Sequence, residues 1–66
     1  MAIQIHPDLN SIQVIQVEDR LRKYGVTDYS MQPGNDCIWV TYYRRGFAMN
    51  DYYIFRDGKI VDVIGD

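Results

Sequence analysis

The chain has 66 residues, which is enough for one domain and no more, so we expect a single small domain over residues 1–66. Nine acidic and seven basic residues give a net charge of −2, a balance that argues against a protein that coats nucleic acid along its length. Cys37 is the only cysteine and His6 the only histidine, which excludes an internal disulfide and the usual zinc site with four Cys or His ligands.

The same residues argue against a membrane-bound or exported protein. No apolar run approaches the length of a membrane span. The first ten residues lack the basic start and the long apolar core of a signal peptide. Because there is no disulfide pair either, we expect a cytoplasmic protein that contacts no membrane.

The first eight residues have two interpretations, a loose lead-in to the domain or a short edge strand at residues 2–5. The clearest element then follows, a helix from about Leu9 to Tyr24. Apolar side chains recur there at the spacing that keeps one helical face apolar; they are Val14, Val17, Leu21 and Tyr24. Gly25 predicts the end of the helix, because glycine readily takes the left-handed conformation that terminates one. Ile12 and Ile15 fall outside the apolar stripe.

Four strands are predicted after the helix, at residues 26–32, 37–44, 51–56 and 59–64, where β-branched and aromatic residues are concentrated. Residues 33–36 form a turn, and residues 45–50 form a connection without a diagnostic turn. Asp57-Gly58 is a pair that strongly favours a two-residue hairpin. The predicted fold class is α+β, with one N-terminal helix packed on one face of a four-stranded antiparallel meander sheet.

The hairpin at Asp57-Gly58 also predicts which sheet face packs on the helix. An uninterrupted register places Ile54 opposite Val61, and opposed residues share a face. That face, which also holds Tyr52 and Val63, has no charge and is predicted to pack on the helix. The other face is interrupted by Asp62 and is predicted to be open; it holds Tyr53, Phe55, Ile60 and Ile64. On the preceding strand, Ile38 and Val40 are expected inside.

The predicted function is a non-enzymatic protein-interaction or regulatory domain that acts by occupying a surface. One helix cannot cover both faces of a sheet, and a large exposed apolar patch usually marks an interaction surface. The expected partner is another protein, a second copy in a homodimer, or both, and a stoichiometric inhibitor of the kind that mobile elements encode is one such function. The predicted partner-binding residues are Trp39, Tyr43, Tyr53 and Phe55.

The alternative prediction is a nucleic-acid-binding module with a local patch of arginines and aromatic rings. A meander places the end of the helix and the 45–49 connection at the same end of the sheet. Aromatic rings beside arginines commonly hold single-stranded nucleic acid. The residues predicted for this patch are Arg22, Lys23, Arg44, Arg45 and Phe47.

Catalysis, a cofactor and a metal are not expected. His6 lies in the lead-in with no partner for nucleophilic chemistry nearby in sequence. Cys37 lies in a predicted strand and is more typical of a small packed residue than of a nucleophile. Glycine-rich phosphate loops and catalytic triad motifs are missing from the 66 residues.

Overall fold

The structure, a computed structural model, describes residues 2–65, so Met1 and Asp66 lie outside the described residues. The elements in chain order are β1 (Ile3–Ile5), α1 (Ser11–Lys23), β2 (Tyr29–Pro33), β3 (Cys37–Arg44), β4 (Phe47–Arg56) and β5 (Lys59–Gly65). The strands form one sheet in the order β1-β2-β3-β4-β5. β1 is parallel to β2, and the other neighbouring strands are antiparallel. The fold is therefore α+β, with one helix and a five-stranded mixed sheet.

The prediction of four antiparallel strands is wrong in one detail, the added strand β1. Ile3 pairs with Tyr29 and Ile5 with Met31, so the start of the chain forms an edge strand beside β2. Of the two interpretations for the first eight residues, the edge strand is confirmed at Ile3–Ile5. Three residues carry almost no periodic signal, and their parallel partner lies beyond the whole of α1 in the sequence.

Both ends of α1 are fixed by local hydrogen bonds. The Asn10 side-chain oxygen accepts from the backbone N–H groups of Ile12 and Gln13, at 2.9 and 3.2 Å, which caps the helix start. At the other end Gly25 has φ 75°, and the Val26 N–H donates to the Leu21 carbonyl at 3.0 Å. The predicted helix end at Gly25 is thus confirmed. No helix within residues 2–65 has the length and apolar character needed to cross a membrane.

The core lies between α1 and one sheet face. Its buried side chains are Val14, Val17, Leu21, Val26, Met31, Ile38, Val40 and Tyr53. Each such side chain stabilises the fold by roughly 1.5–3 kcal/mol. Gln16, in the middle of α1, donates a hydrogen bond from its side-chain nitrogen to the Gly58 carbonyl at 2.7 Å. The helix is therefore attached to the β4–β5 hairpin as well as to the sheet.

The predicted connection at residues 45–50 is shorter in the structure, where residues 45 and 46 form a two-residue hairpin turn. Arg45 and Gly46 have φ 54° and 83°, and Arg44 pairs directly with Phe47. Asp57 and Gly58 have the same geometry, with φ 54° and 77°. Two positive φ values are what a type I′ turn requires. Residues 47–50 therefore belong to β4, which is ten residues long.

The predicted assignment of the two sheet faces is wrong for β4 and for Ile60 and Val61 at the start of β5, whereas Val63 packs inward and Ile64 lies on the open side as predicted. Phe55 pairs with Ile60, as an uninterrupted hairpin requires, but a β-bulge then shifts the register by one residue. Tyr53 consequently pairs with Val63 rather than with Asp62, and Tyr53 is only 1% exposed. Because the bulge moves Asp62 to the face away from α1, the Asp62 charge does not oppose the packing of Tyr53 and Phe55 against the core.

Candidate partner-binding face

The open face is the side of the sheet turned away from α1. On the last three strands it carries Trp39, Thr41, Tyr43, Asn50, Tyr52, Ile54, Asp62 and Ile64, as the register and the alternation of side chains require. On the first two strands it carries Gln4, Ser30 and Gln32. Apolar and aromatic residues thus gather on β3, β4 and β5, and uncharged polar residues border them on β1 and β2.

A row of large side chains crosses the centre of the open face. Trp39 pairs with Tyr52, and Tyr52 pairs with Ile64 on the next strand. The rings of Trp39 and Tyr52 stack with their centroids 6.0 Å apart and their planes inclined by 22°. Aromatic pairs in this geometry stabilise each other beyond their buried area. The row is therefore a fixed feature of the surface.

Asn50 holds the indole from the side. Its side-chain oxygen accepts from Trp39 Nε1 at 3.3 Å and from Thr41 Oγ1 at 2.9 Å. The two donors satisfy one carbonyl oxygen, and the Trp39 ring is fixed both by stacking and by this bond. Rigid aromatic side chains lose little conformational entropy on binding, which makes them effective anchors at protein interfaces.

Among residues 2–65, the charged side chains of the open face lie on β5 and at the β4–β5 hairpin. Asp62 is the acidic residue, and its carboxylate accepts from the backbone N–H of Val63 at 2.9 Å. Arg56 and Lys59 pair at the hairpin end of the same two strands. The row of Trp39, Tyr52 and Ile64 itself contains no charged group.

The four predicted partner-binding residues are divided between the two faces. Trp39 and Tyr43 lie on the open face, whereas Tyr53 and Phe55 pack toward α1. Tyr52 lies on the open face instead, paired with Ile64, which the sequence correctly predicts on that face. The sequence signal that would have found Tyr52 is Asp62, because a charge in the middle of an otherwise apolar strand is accommodated if a bulge moves it away from the position opposite Tyr53. Whether the open face binds a partner remains a prediction.

The five predicted nucleic-acid-binding residues are only partly brought together. Arg44, Arg45 and Phe47 lie around one hairpin turn. Arg22 lies on the β2 flank of α1 and pairs with Asp19 at 3.6 Å. Lys23 lies on the opposite flank, beside the β4–β5 hairpin. The last turn of α1 thus divides its cations between two sides of the molecule.

The remaining reactive side chains have local structural contacts. His6 Nδ1 accepts from the Asp8 N–H at 3.1 Å. The Cys37 sulfur packs against Gly34 so closely that a Cβ there would lie 2.6 Å from it. Within residues 2–65, no three His, Cys, Asp or Glu side chains are grouped so that they could hold a metal ion.

The centre of the open face consists of stacked rings, an aliphatic side chain and an amide. The chain matches no protein-family model, no curated protein and no solved structure.

Proposed function

We propose that this chain is a non-enzymatic interaction domain that acts by covering a protein surface with its open face, and that the first surface it covers is that of a second copy. The observation that carries the proposal is the stacked pair Trp39 and Tyr52, fixed at the centre of the sheet face opposite to the one that α1 covers. Surface occupation also suits a regulator such as a stoichiometric inhibitor, since one bound copy blocks one site.

The surface area of the chain supports pairing. A compact monomer of this mass exposes roughly 4,400 Å², whereas the chain exposes 4842 Å². A stable interface of standard size covers about 800 Å² on each partner. An interface of that size would use about one sixth of the exposed surface.

The charge distribution favours a copy of the same chain over a strongly charged partner. The central row is uncharged, so two copies can bring their rows together without burying an unpaired charge. Asp62 lies on the same face as Arg56 and Lys59, so each copy offers charges of both signs at the border of its row. A face of this kind is complementary to itself, as a twofold interface requires.

The test is the molar mass in solution, measured by light scattering over a range of protein concentrations. We expect the wild-type chain to approach twice the monomer mass of 7.8 kDa at high concentration. Ile64→Lys places a charge in the central row and should leave a folded monomer. The matched control is Ile12→Lys, which makes the same change on the outer face of α1; Ile64 is 49% exposed and Ile12 is 68% exposed, so neither is needed in the core.

The double variant Trp39→Ala with Tyr52→Ala tests the anchors directly, with circular dichroism to verify folding. Loss of the dimer with retained secondary structure supports the proposal. A wild-type chain that stays monomeric at every concentration would overturn self-association, as would an Ile64→Lys variant that still dimerises like Ile12→Lys.

A further inference from the structure

The tip of the β3–β4 hairpin gathers positive charge beside an exposed ring. Arg45 and Gly46 form the two-residue turn. Arg44 and Phe47 flank the turn and lie directly opposite each other. Phe47 is 72% exposed, the highest value among the large apolar side chains described. Arg44 and Phe47 lie on the α1 side of the sheet, so this cluster is separate from the open face.

The end of α1 adds to this cluster. Burial is the main cause that raises the pKa of Tyr42, and both the Arg44 charge, which opposes the rise, and Tyr24 lie close enough to influence it. Tyr24 and Arg20 are likewise close enough to influence Tyr53. Tyr24, the C-cap residue of α1, is exposed. A second exposed ring, that of Tyr24, therefore lies near Tyr42 on the same side of the sheet as Arg44, whereas Arg20 lies with Lys23 beside the β4–β5 hairpin.

Arg45 is an unusual residue for its backbone conformation. Among residues 2–65, three non-glycine residues have positive φ, and the other two are aspartates, Asp36 and Asp57. Asp and Asn are favoured in this conformation because their short polar side chains bond locally, whereas a long side chain such as that of Arg is not. Turn stability therefore does not account for an arginine at position 45.

The guanidinium groups at the tip are not engaged elsewhere. No hydrogen bond or ion pair within residues 2–65 holds Arg44 or Arg45. Asp51 on the same side faces Tyr42, and Asp28, at the same end of the sheet, accepts from the Ala2 N–H. The two guanidinium groups are therefore available to a ligand.

We propose that the tip of the β3–β4 hairpin binds single-stranded nucleic acid, with Arg44 and Arg45 contacting phosphates and Phe47 and Tyr24 stacking on bases. Exposed rings favour a single strand over a duplex, because the bases of a duplex are already stacked on one another. The small number of cations and the net charge of −2 fit a short contact rather than coating of a long strand. This site is independent of the open face and of the proposed dimer.

The experiment measures fluorescence anisotropy of a labelled oligothymidylate of about ten nucleotides at low salt. We expect saturable binding whose logarithmic affinity falls with logarithmic salt concentration with a slope of about −1.4, for two phosphate contacts on a single strand. Phe47→Ala should weaken binding by roughly 5- to 150-fold, the loss of one base stack. A duplex of the same length should bind more weakly.

Arg45→Asn is the decisive variant because two effects of opposite sign are expected. Asn suits the positive φ, so the melting temperature should stay equal or rise, while the affinity falls and the salt slope becomes shallower by about 0.7. Arg56→Ala is the matched control, because Arg56 precedes the other two-residue turn as Arg44 precedes this one. Arg44→Ala should weaken binding, and Arg56→Ala should not.

Two results would overturn the proposal. One is no detectable binding to the oligothymidylate at low salt. The other is binding that Arg44→Ala and Arg56→Ala reduce equally, since the affinity would then reflect overall charge and not a site. The Ile64→Lys variant, which disrupts the open face, should bind the oligonucleotide as the wild type does, so the two proposals can fail separately.

Discussion

Tyr43 and Tyr53 show how the role of one residue type depends on its position in the sheet. Tyr53 is 1% exposed and lies in the core beneath α1. Tyr43 is 61% exposed on the open face. Both had been predicted to bind a partner, and composition alone does not distinguish them, because each lies in a strand of aromatic and β-branched residues.

Replacing each tyrosine by alanine should have very different effects on stability. Tyr53→Ala removes a buried ring and should lower the free energy of unfolding by about 3–5 kcal/mol, by analogy with other buried aromatic side chains. Tyr43→Ala removes an exposed ring and should change it by about 0.5 kcal/mol or less. Urea denaturation measures both, and equal effects would contradict the face assignment.

The bulge in β5 is the element that decides the faces of the sheet. Val61 is the extra residue, because Phe55 pairs with Ile60 and Ile54 pairs with Asp62. A bulge lets the strand gain one residue without moving the side chains beyond it to the wrong face. The core therefore includes Tyr53 and Val63 together.

Deleting Val61 should consequently be tolerated. The pairs Ile54 with Asp62 and Tyr53 with Val63 are retained in a regular ladder, so we expect the free energy of unfolding to change by about 1 kcal/mol or less. Deleting Thr41 from the central strand β3, which has no bulge, should instead turn Tyr42 to the other face and unfold the chain. Thermal denaturation followed by circular dichroism compares the two deletions. An unfolded Val61 deletion would contradict the described register.

Some turns and strand features could be predicted from the residue types at their positions, and others could not. Gly25 and the Asp57-Gly58 turn were predictable because their conformations follow from the residue types. The Arg45-Gly46 turn was not, since Arg is an uncommon residue at positive φ. The bulge was not predictable for a different reason. It shifts the register by one residue, and the two sheet faces are about equally apolar with or without that shift.

The residues of the open face were predictable only where the strand register was predictable. Trp39 and Tyr43 were assigned to the open face because Ile38 and Val40 are the better core pair, and this part of the register is independent of the bulge. Tyr52 is predicted on the wrong face because its placement depends on the bulge, whereas the open-face position predicted for Ile64 is correct. One unpredicted shift of the register by one residue thus moved Tyr53 and Phe55, two of the four predicted partner-binding residues, to the core side of the sheet.

At the scale of the whole molecule, the phenol groups make folding sensitive to alkaline pH. Burial, followed by the hydrogen bond to Glu18, raises the pKa of Tyr29 from 10.0 to about 12. Burial, followed by the charge of Asp51, raises the pKa of Tyr53 to about 12. A raised pKa means that the folded chain holds these protons more tightly than the unfolded chain does.

The stability due to these protons is complete below pH 10 and is lost as the pH rises toward 12. We expect the free energy of unfolding, measured by urea denaturation at a series of pH values, to fall across this interval. Tyr53→Phe should make the fall smaller, because one of the two tyrosines with a pKa near 12 has been removed. An unchanged slope in that variant would contradict the assignment.

The two edge strands of the sheet differ in length, and this limits how the molecule can polymerise. β1 presents three residues at its outer edge, and β5 presents seven. If two molecules paired edge to edge through β5, the longer edge strand of each would be hydrogen-bonded in the pair. Only the three-residue edge strands would then be left unpaired. Sheet growth of this kind would stop at a pair instead of propagating into a filament.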